Sequence, residues 1–214
     1  MSLNLFKRKI SSKHMKLNGL PRTALPSDIR RMLVKYNITE NFGDIQLDYG
    51  RFIPTGSAYL TFTAQSALHR AFIELRNASH MGFPITASRT PVPIGPPPRS
   101  RGDRGRLEAS QRGVISGDGY RAGITETGKS VVVWGMPGKM TTDTMRLFLR
   151  GYKLAPGEGQ ITKLDSIGTQ LTSRHFVRLN SMSEAYRLVR NVHMTFFEPL
   201  VWGDRYIIRA RVVH

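Results

Sequence analysis

The stretch SAYLTFTAQSALHRAFIEL, residues 57–75, changes its hydrophobic period once. Between Ser57 and Phe62, the apolar Ala58, Leu60 and Phe62 alternate with Ser57, Tyr59 and Thr61, the two-residue period of a strand with one buried face. From Ala64 onward, Ala67, Leu68, Ala71, Phe72 and Leu75 follow the i, i+3, i+4 rule of an amphipathic helix, with Thr63 placed as its N-cap. Working back from this strand–helix pair, Asp44–Tyr49 alternates with Ile45 and Leu47 on one face. Residues 26–36 carry Ile29, Met32, Leu33 and Tyr36 at helical spacing behind Pro26 in a first turn. Residues 15–21 read as a short strand ending in Gly19-Leu20-Pro21. Working forward, Phe83–Ser88 reads as a closing strand. The predicted order is βαββαβ.

The same order recurs later in the chain. Val131–Met136 is a strand ending in Gly135-Met136-Pro137, the counterpart of Gly19-Leu20-Pro21. Residues 142–150 read as a helix with Met145, Phe148 and Leu149 inward. Gln160–Ile167 and Arg174–Leu179 read as strands. The next helix opens with the capping-box pattern Ser181-x-x-Glu184 and buries Ala185, Leu188, Val189 and Val192. Tyr206–Val213 is the closing strand, and residues 193–205 are aromatic-rich and irregular.

Between the two copies lies a stretch that cannot pack a core. Pro91, Pro93, Pro96, Pro97 and Pro98 impose an extended path, and Arg99, Arg101, Arg104 and Arg106 alternate with glycines. The expected organisation is a basic N-terminal arm over 1–13, a first domain over 14–88, a linker over 89–129 and a second domain over 130–214.

The 214 residues carry 32 Lys and Arg against 15 Asp and Glu, a formal net charge of +17. The excess is spread over both halves and the middle, with 12 basic against 5 acidic side chains in residues 1–87 and 12 against 6 in residues 131–214. Such a chain needs a polyanion, and nucleic acid is the usual one. A basic membrane-surface protein would need an amphipathic basic helix, and only residues 1–13 come near one. No apolar run approaches the ~18 residues of a membrane span. The absence of Cys excludes a disulfide framework, a thiolate zinc site and a cysteine nucleophile.

Two basic βαββαβ units resemble tandem RNA-recognition motifs (RRMs). The third-strand signature of that family asks for a basic residue, Gly, an aromatic, Gly or Ala, an aromatic, an aliphatic, any residue and an aromatic. In the first unit Gly56, Ala58, Tyr59, Leu60 and Phe62 match it; in the second, Phe176 and Val177 match. On the first strand, where the family places an aromatic, this chain has Lys16 and Val132. The resemblance implies an α+β fold of two RRM-like, ferredoxin-like βαββαβ domains joined by an extended Pro/Gly/Arg linker, with RNA as partner.

Strand alternation then sorts the faces. Ser57, Tyr59 and Thr61 point away from the helices of the first unit, beside Lys16 and Asn18. Arg174, Phe176 and Arg178 point away in the second, beside Val132 and Trp134, while His175, Val177 and Leu179 point inward. Arg209 and Arg211 share a face of the last strand. The expected RNA-binding residues are therefore Lys16, Tyr59, Trp134, Arg174, Phe176, Arg178, Arg209 and Arg211, with Arg99, Arg101, Arg104 and Arg106 of the linker. Tyr59 and Phe176 hold the family's main base-stacking position, where one ring is worth ~1–3 kcal/mol. The alternative is that the linker, the partner domain or another protein covers these rings.

Three other patterns carry no chemistry. Gly117-Asp118-Gly119-Tyr120-Arg121-Ala122 satisfies G-x-G-x-x-A but lies in the linker, without the flanking strand and helix of a dinucleotide site. Gly138-Lys139 has Met140 where a P-loop needs Ser or Thr. His14, His69, His80, His175, His193 and His214 show no metal-ligand spacing, and each reads as a structural, hydrogen-bonded histidine. No catalytic residue, cofactor, metal or small-molecule substrate is expected. The N-terminus is basic, Ser-containing and free of acids before Asp28, the composition of a mitochondrial transit segment. The expected role is a non-enzymatic RNA-binding component of the mitochondrial ribosome, or a factor bound to it, in the matrix beside other ribonucleoprotein subunits. The alternatives are a free mRNA-binding or processing factor, nuclear or cytoplasmic localisation included, and a scaffold that uses RRM folds without RNA.

Overall fold

The structure is a computed structural model that describes residues 13–39, 42–90, 117–124, 127–164 and 171–214. The first unit runs β1 (His14–Asn18), α1 (Pro26–Lys35), β2 (Phe42–Gly50), β3 (Ile53–Phe62), α2 (Gln65–Glu74), β4 (Ser79–His80), β5 (Phe83–Pro84) and β6 (Thr86–Thr90). A short strand β7 (Gly119–Tyr120) and a 3₁₀ turn at Arg121–Gly123 follow. The second unit runs β8 (Ser130–Pro137), α3 (Thr142–Phe148), β9 (Ile161–Leu164), β10 (Thr172–Arg178), α4 (Met182–Val192), α5 (Pro199–Trp202) and β11 (Arg209–Val213). The antiparallel sheets have the orders β6-β1-β3-β2-β7 and β11-β8-β10-β9. Each unit thus has its first and third strands side by side in the middle, as the two-copy reading requires.

The periodicities place the cores. Leu68, Ala71 and Leu75 of α2 and its C-cap are buried on Met15, Leu17, Ala58, Leu60 and Phe62, and Ile29, Met32 and Leu33 of α1 complete that core. In the second unit Met145 of α3 and Ala185, Leu188 and Val192 of α4 are buried with Val131, Val133, Val177 and Leu179. The repeated Gly-x-Pro turn has one cause in both copies. Gly19 (φ +87°) and Gly135 (φ +97°) lie where an added Cβ would sit 2.4 Å from the Pro84 carbonyl oxygen and 2.1 Å from that of Ile207. The chain leading into the last strand presses on the end of the first, and only glycine tolerates both the approach and the left-handed backbone.

Several boundaries differ from the sequence reading. The closing strand of unit one is Thr86–Thr90, because residues 79–84 fold into a separate two-residue-stranded hairpin, Ser79↔Pro84 and His80↔Phe83. The N-cap of α2 is Ala64, without a side-chain bond; Thr63 lies one residue too early. The capping box of α4 is half made. The Ser181 Oγ accepts from the Glu184 amide at 3.2 Å, but the Glu184 carboxylate turns away to accept from the Lys153 amide at 3.1 Å. The aromatic-rich 193–205 forms a stem, with Phe196 bridged to Ile207, that lifts Leu200 and Val201 into solvent on α5. Of the N-terminal arm expected over 1–13, residues 1–12 lie outside the described residues.

His175 faces the core as expected and is fully buried, but neither ring nitrogen makes a hydrogen bond of good geometry. Burial first, and the Lys163 ammonium second, push its pKa down to about 4, against a smaller upward pull from the Met140 backbone. The unfolded imidazole binds its proton near pH 6.5, so between these values the unfolded state holds the extra proton and stability falls as pH falls. The stability is complete above about pH 6.5 and drops by up to about 3 kcal/mol by pH 4 from this group. Urea unfolding at pH 7, 6, 5 and 4 checks this: the wild type loses that increment, and His175→Leu loses less over the same range.

Candidate nucleic-acid interface

Besides Val213–Ser130–Arg178 at one end, the outward face of the second sheet has two cross-strand rows. One is Arg211–Val132–Phe176–Thr162; the other is Arg209–Trp134–Arg174–Leu164. Alternation predicted this face correctly, but not its environment. Val132 and Phe176 are 2% and 1% exposed, and they join the apolar cluster of the first unit, with Trp134 and Leu164 packed at its margin. Phe176 is therefore not open to a base in this structure. Its ring stacks on Phe52 of the first unit, with centroids 5.2 Å apart and planes at 29°.

Phe52 reaches this position from an unusual turn. Gly50 pairs with Ile53, so Arg51 and Phe52 form a two-residue hairpin loop, with φ of +51° and +65°. Such loops favour Asn-Gly because both residues need positive φ, and a larger L-residue there costs roughly 1–2 kcal/mol. Around this turn the Arg174 guanidinium donates to the Arg51 carbonyl at 2.7 Å. Burial first, and the charge of Arg51 second, pull the Arg174 pKa below its ordinary value. Beside it the Tyr49 hydroxyl, pushed up to about 12 by burial, accepts from the His214 amide at 2.9 Å.

The end of the expected linker belongs to this junction. Residues 117–124 are not tether: Gly119 and Tyr120 pair with Tyr49 and Asp48 as a fifth strand of the first sheet. The Phe52 amide donates to the Gly117 carbonyl at 2.7 Å and the Arg51 amide to the Asp118 carboxylate at 2.7 Å. Arg121 pairs with Asp44, and Ala122 is fully buried. A Cβ on Gly117 (φ +74°) would meet the Phe52 ring at 2.3 Å. The glycines of the G-x-G-x-x-A pattern thus serve backbone conformation and contact with an aromatic ring.

The first sheet presents a different face. Lys16, Tyr59 and Gln46 are cross-strand neighbours. Tyr59 is 4% exposed, and the Lys16 ammonium lies 5.2 Å over its ring and 3.6 Å from Asp48. Burial opposes the Lys16 charge, but the Tyr59 hydroxyl and Asp48 outweigh it and raise its pKa. Ser57 donates to Asn18 at 2.9 Å, and Gln46 to Asp44 at 2.8 Å. This face is a net of paired polar groups containing two carboxylates, with the partly exposed Tyr120 across from Asp48 at its edge. The stacking expected of Tyr59 finds no exposed ring here.

What stays accessible is the second row of the second sheet. Trp134 is partly exposed between Arg174 and the exposed Arg209; Arg211 and Arg178 are partly exposed nearby. Among the described residues Arg209 and Arg178 have no ion pair. Arg99, Arg101, Arg104 and Arg106 lie outside the described residues. Among the described residues no three His, Asp or Glu side chains are grouped to hold a metal ion, and no helix is long and apolar enough to cross a membrane.

The strand orders and the two-helix covering are those of the four-stranded βαββαβ motif. Both units have the RRM-like fold. No family model matches the chain, and no curated protein matches it. Among solved structures, RNA recognition domains 1 and 2 of Sex-lethal from Drosophila melanogaster are similar over 94% of this chain and 99% of that one, at 14% identity and a TM-score of 0.31. The N-terminal three RNA-binding domains of the yeast splicing factor Prp24 are similar over 96% of this chain and 67% of that one, at 12% identity and a TM-score of 0.32. The RRM3 domain of Mip6 is similar over 41% of this chain and 94% of that one, at 12% identity and a TM-score of 0.32. The fold assignment rests on the strand order, not on these likenesses.

Sequence reasoning missed Phe52, Tyr49 and the docked segment 117–124. No local pattern announces that a turn phenylalanine faces another domain; the unfavourable Arg-Phe pair at a tight hairpin was the available signal. The junction predicts non-additive stability. Phe176→Ala should cost about 3 kcal/mol or more. Phe52→Ala together with Phe176→Ala should cost less than the two single changes added, by about 0.5–1.5 kcal/mol. Chemical denaturation of the four proteins of the cycle measures the coupling.

Proposed function

We propose that the protein is a non-enzymatic RNA-binding component of a ribonucleoprotein, and that it meets RNA through the Arg209–Trp134 part of the second sheet and the basic surface around it. The observation that carries this reading is the partly exposed Trp134 set in one cross-strand row between two arginines, in a chain of net charge +17. An indole face stacks on a base, and an exposed guanidinium beside it pairs with the phosphate or stacks in turn.

Within that reading the mitochondrial ribosome is the assembly we favour. Its support is the basic, acid-free N-terminal composition and the burial of Tyr59 and Phe176, the two rings at the main base-stacking position, which suits a protein held on ribosomal RNA by charge rather than by reading a sequence. Other ribonucleoprotein subunits would then cover further surface.

Binding to single-stranded RNA, titrated against salt, should weaken steeply as salt rises. Trp134→Ala should weaken it by about 5- to 150-fold, the equivalent of ~1–3 kcal/mol. Arg209→Ala should lower the slope of log K against log salt by about 1. A salt-insensitive affinity, or one indifferent to Trp134, would remove this reading. Co-sedimentation with mitochondrial ribosomal subunits in high salt separates a ribosomal component from a free factor.

A further inference from the structure

We propose that the Arg51-Phe52 turn is an internal lid: Phe52 occupies in cis a nucleobase position on Phe176, and RNA reaches that ring only by exchanging with it. This rests on the RNA-binding reading above and adds a closed and an open state to it.

The first observation is the turn itself. A two-residue hairpin loop with φ of +51° and +65° would be least strained as Asn-Gly, yet it holds Arg and Phe. The hairpin pairing of the first unit does not require an aromatic there. The partner that the ring does stack on, Phe176, belongs to the other unit. Strain of this kind persists where something else over-determines it.

The second observation is what the turn presents. To Phe176 it offers a flat ring at 5.2 Å and 29°. To Arg174 it offers a carbonyl oxygen at 2.7 Å. A π-face for the strand aromatic and an oxygen acceptor for the adjacent guanidinium are the two features by which a nucleotide would meet the same pair. The exchange is therefore close to balanced: a ring–ring stack for a ring–base stack, and a carbonyl acceptor for a phosphate or base oxygen. In the closed form Arg174 also bears partial burial beside the like charge of Arg51, and an incoming phosphate would offset that repulsion. The third observation is that each unit keeps a helix-covered core of its own when the face opens: Val131, Val133 and Val177 lie in the second unit's cluster, apart from Val132 and Phe176. In the closed form the Phe52 ring lies against Gly117, which leaves no room for a Cβ.

The test replaces Arg51 by Asn and Phe52 by Gly together, the pair such a turn favours, so the hairpin is kept and the lid ring removed. A short fluorescently labelled single-stranded oligoribonucleotide of mixed sequence is the probe. The doubly substituted protein should bind it about fivefold tighter or more, the low end of one added ring–base stack, and adding Phe176→Ala should cancel the gain. In the wild type, a nuclear Overhauser contact between the Phe52 and Phe176 rings should be present in the free protein and lost at RNA saturation. Equal or weaker binding by the double variant, or a ring contact that persists at saturation, overturns the lid. If the wild type binds in a Trp134-dependent way while the variant gains nothing, the lid alone fails. If neither protein binds, the RNA-binding reading fails and the lid with it.

Discussion

A four-stranded sheet with helices on one side leaves its other side to be dealt with, and in the second unit that side is apolar at its centre. Val132, Phe176 and Val213 are nearly or fully removed from water only because the first unit lies against them. At about 25 cal/mol per Å² of apolar surface, leaving these three side chains bare would be a steep loss for a small domain. The contact of Phe52 with Phe176, and the bonds from Arg174 and His214 around it, are consequences of that need. So is the docking of residues 117–124, which backs Phe52 from behind.

The two sheets answer the same problem in opposite ways. The first makes its outer face polar and pairs the groups with one another: Lys16 with Asp48 and Tyr59, Ser57 with Asn18, Gln46 with Asp44. The second keeps its outer face partly apolar and lets another domain cover the centre, leaving Trp134 and Arg209 at the margin. A polyanion meeting this protein finds charge on many sides, but on the outer face of the second sheet the partly open aromatic is Trp134 at that margin. That division is what the functional proposals rest on.

Much of each unit was legible in local pattern. The period change at Thr63, the helical spacing of Met32 and Leu33, and the inward set His175, Val177 and Leu179 all reappear as core. Boundaries were less legible, because strand ends depend on partners: β2 and β3 extend to Gly50 and Ile53 only because those residues pair with each other. The helix start at Ala64 shows the same thing, since burial of Leu68 and Ala71 set it without a capping side chain. His175 was placed correctly on the inward face and yet makes no hydrogen bond of good geometry, because alternation fixes direction and says nothing of partners nearby.

By itself, then, the chain's residue order determined the two repeats, the face each side chain takes and the pervasive positive charge, since these follow from short-range periodicity and composition. It did not determine which outward ring meets solvent. Tyr59, Phe176 and Trp134 all point away from their helices, and only the third is left partly open. Exposure depends on chain brought from far along the sequence, here a turn 124 positions from Phe176 and a segment between the domains, and such contacts leave no periodic trace in either partner.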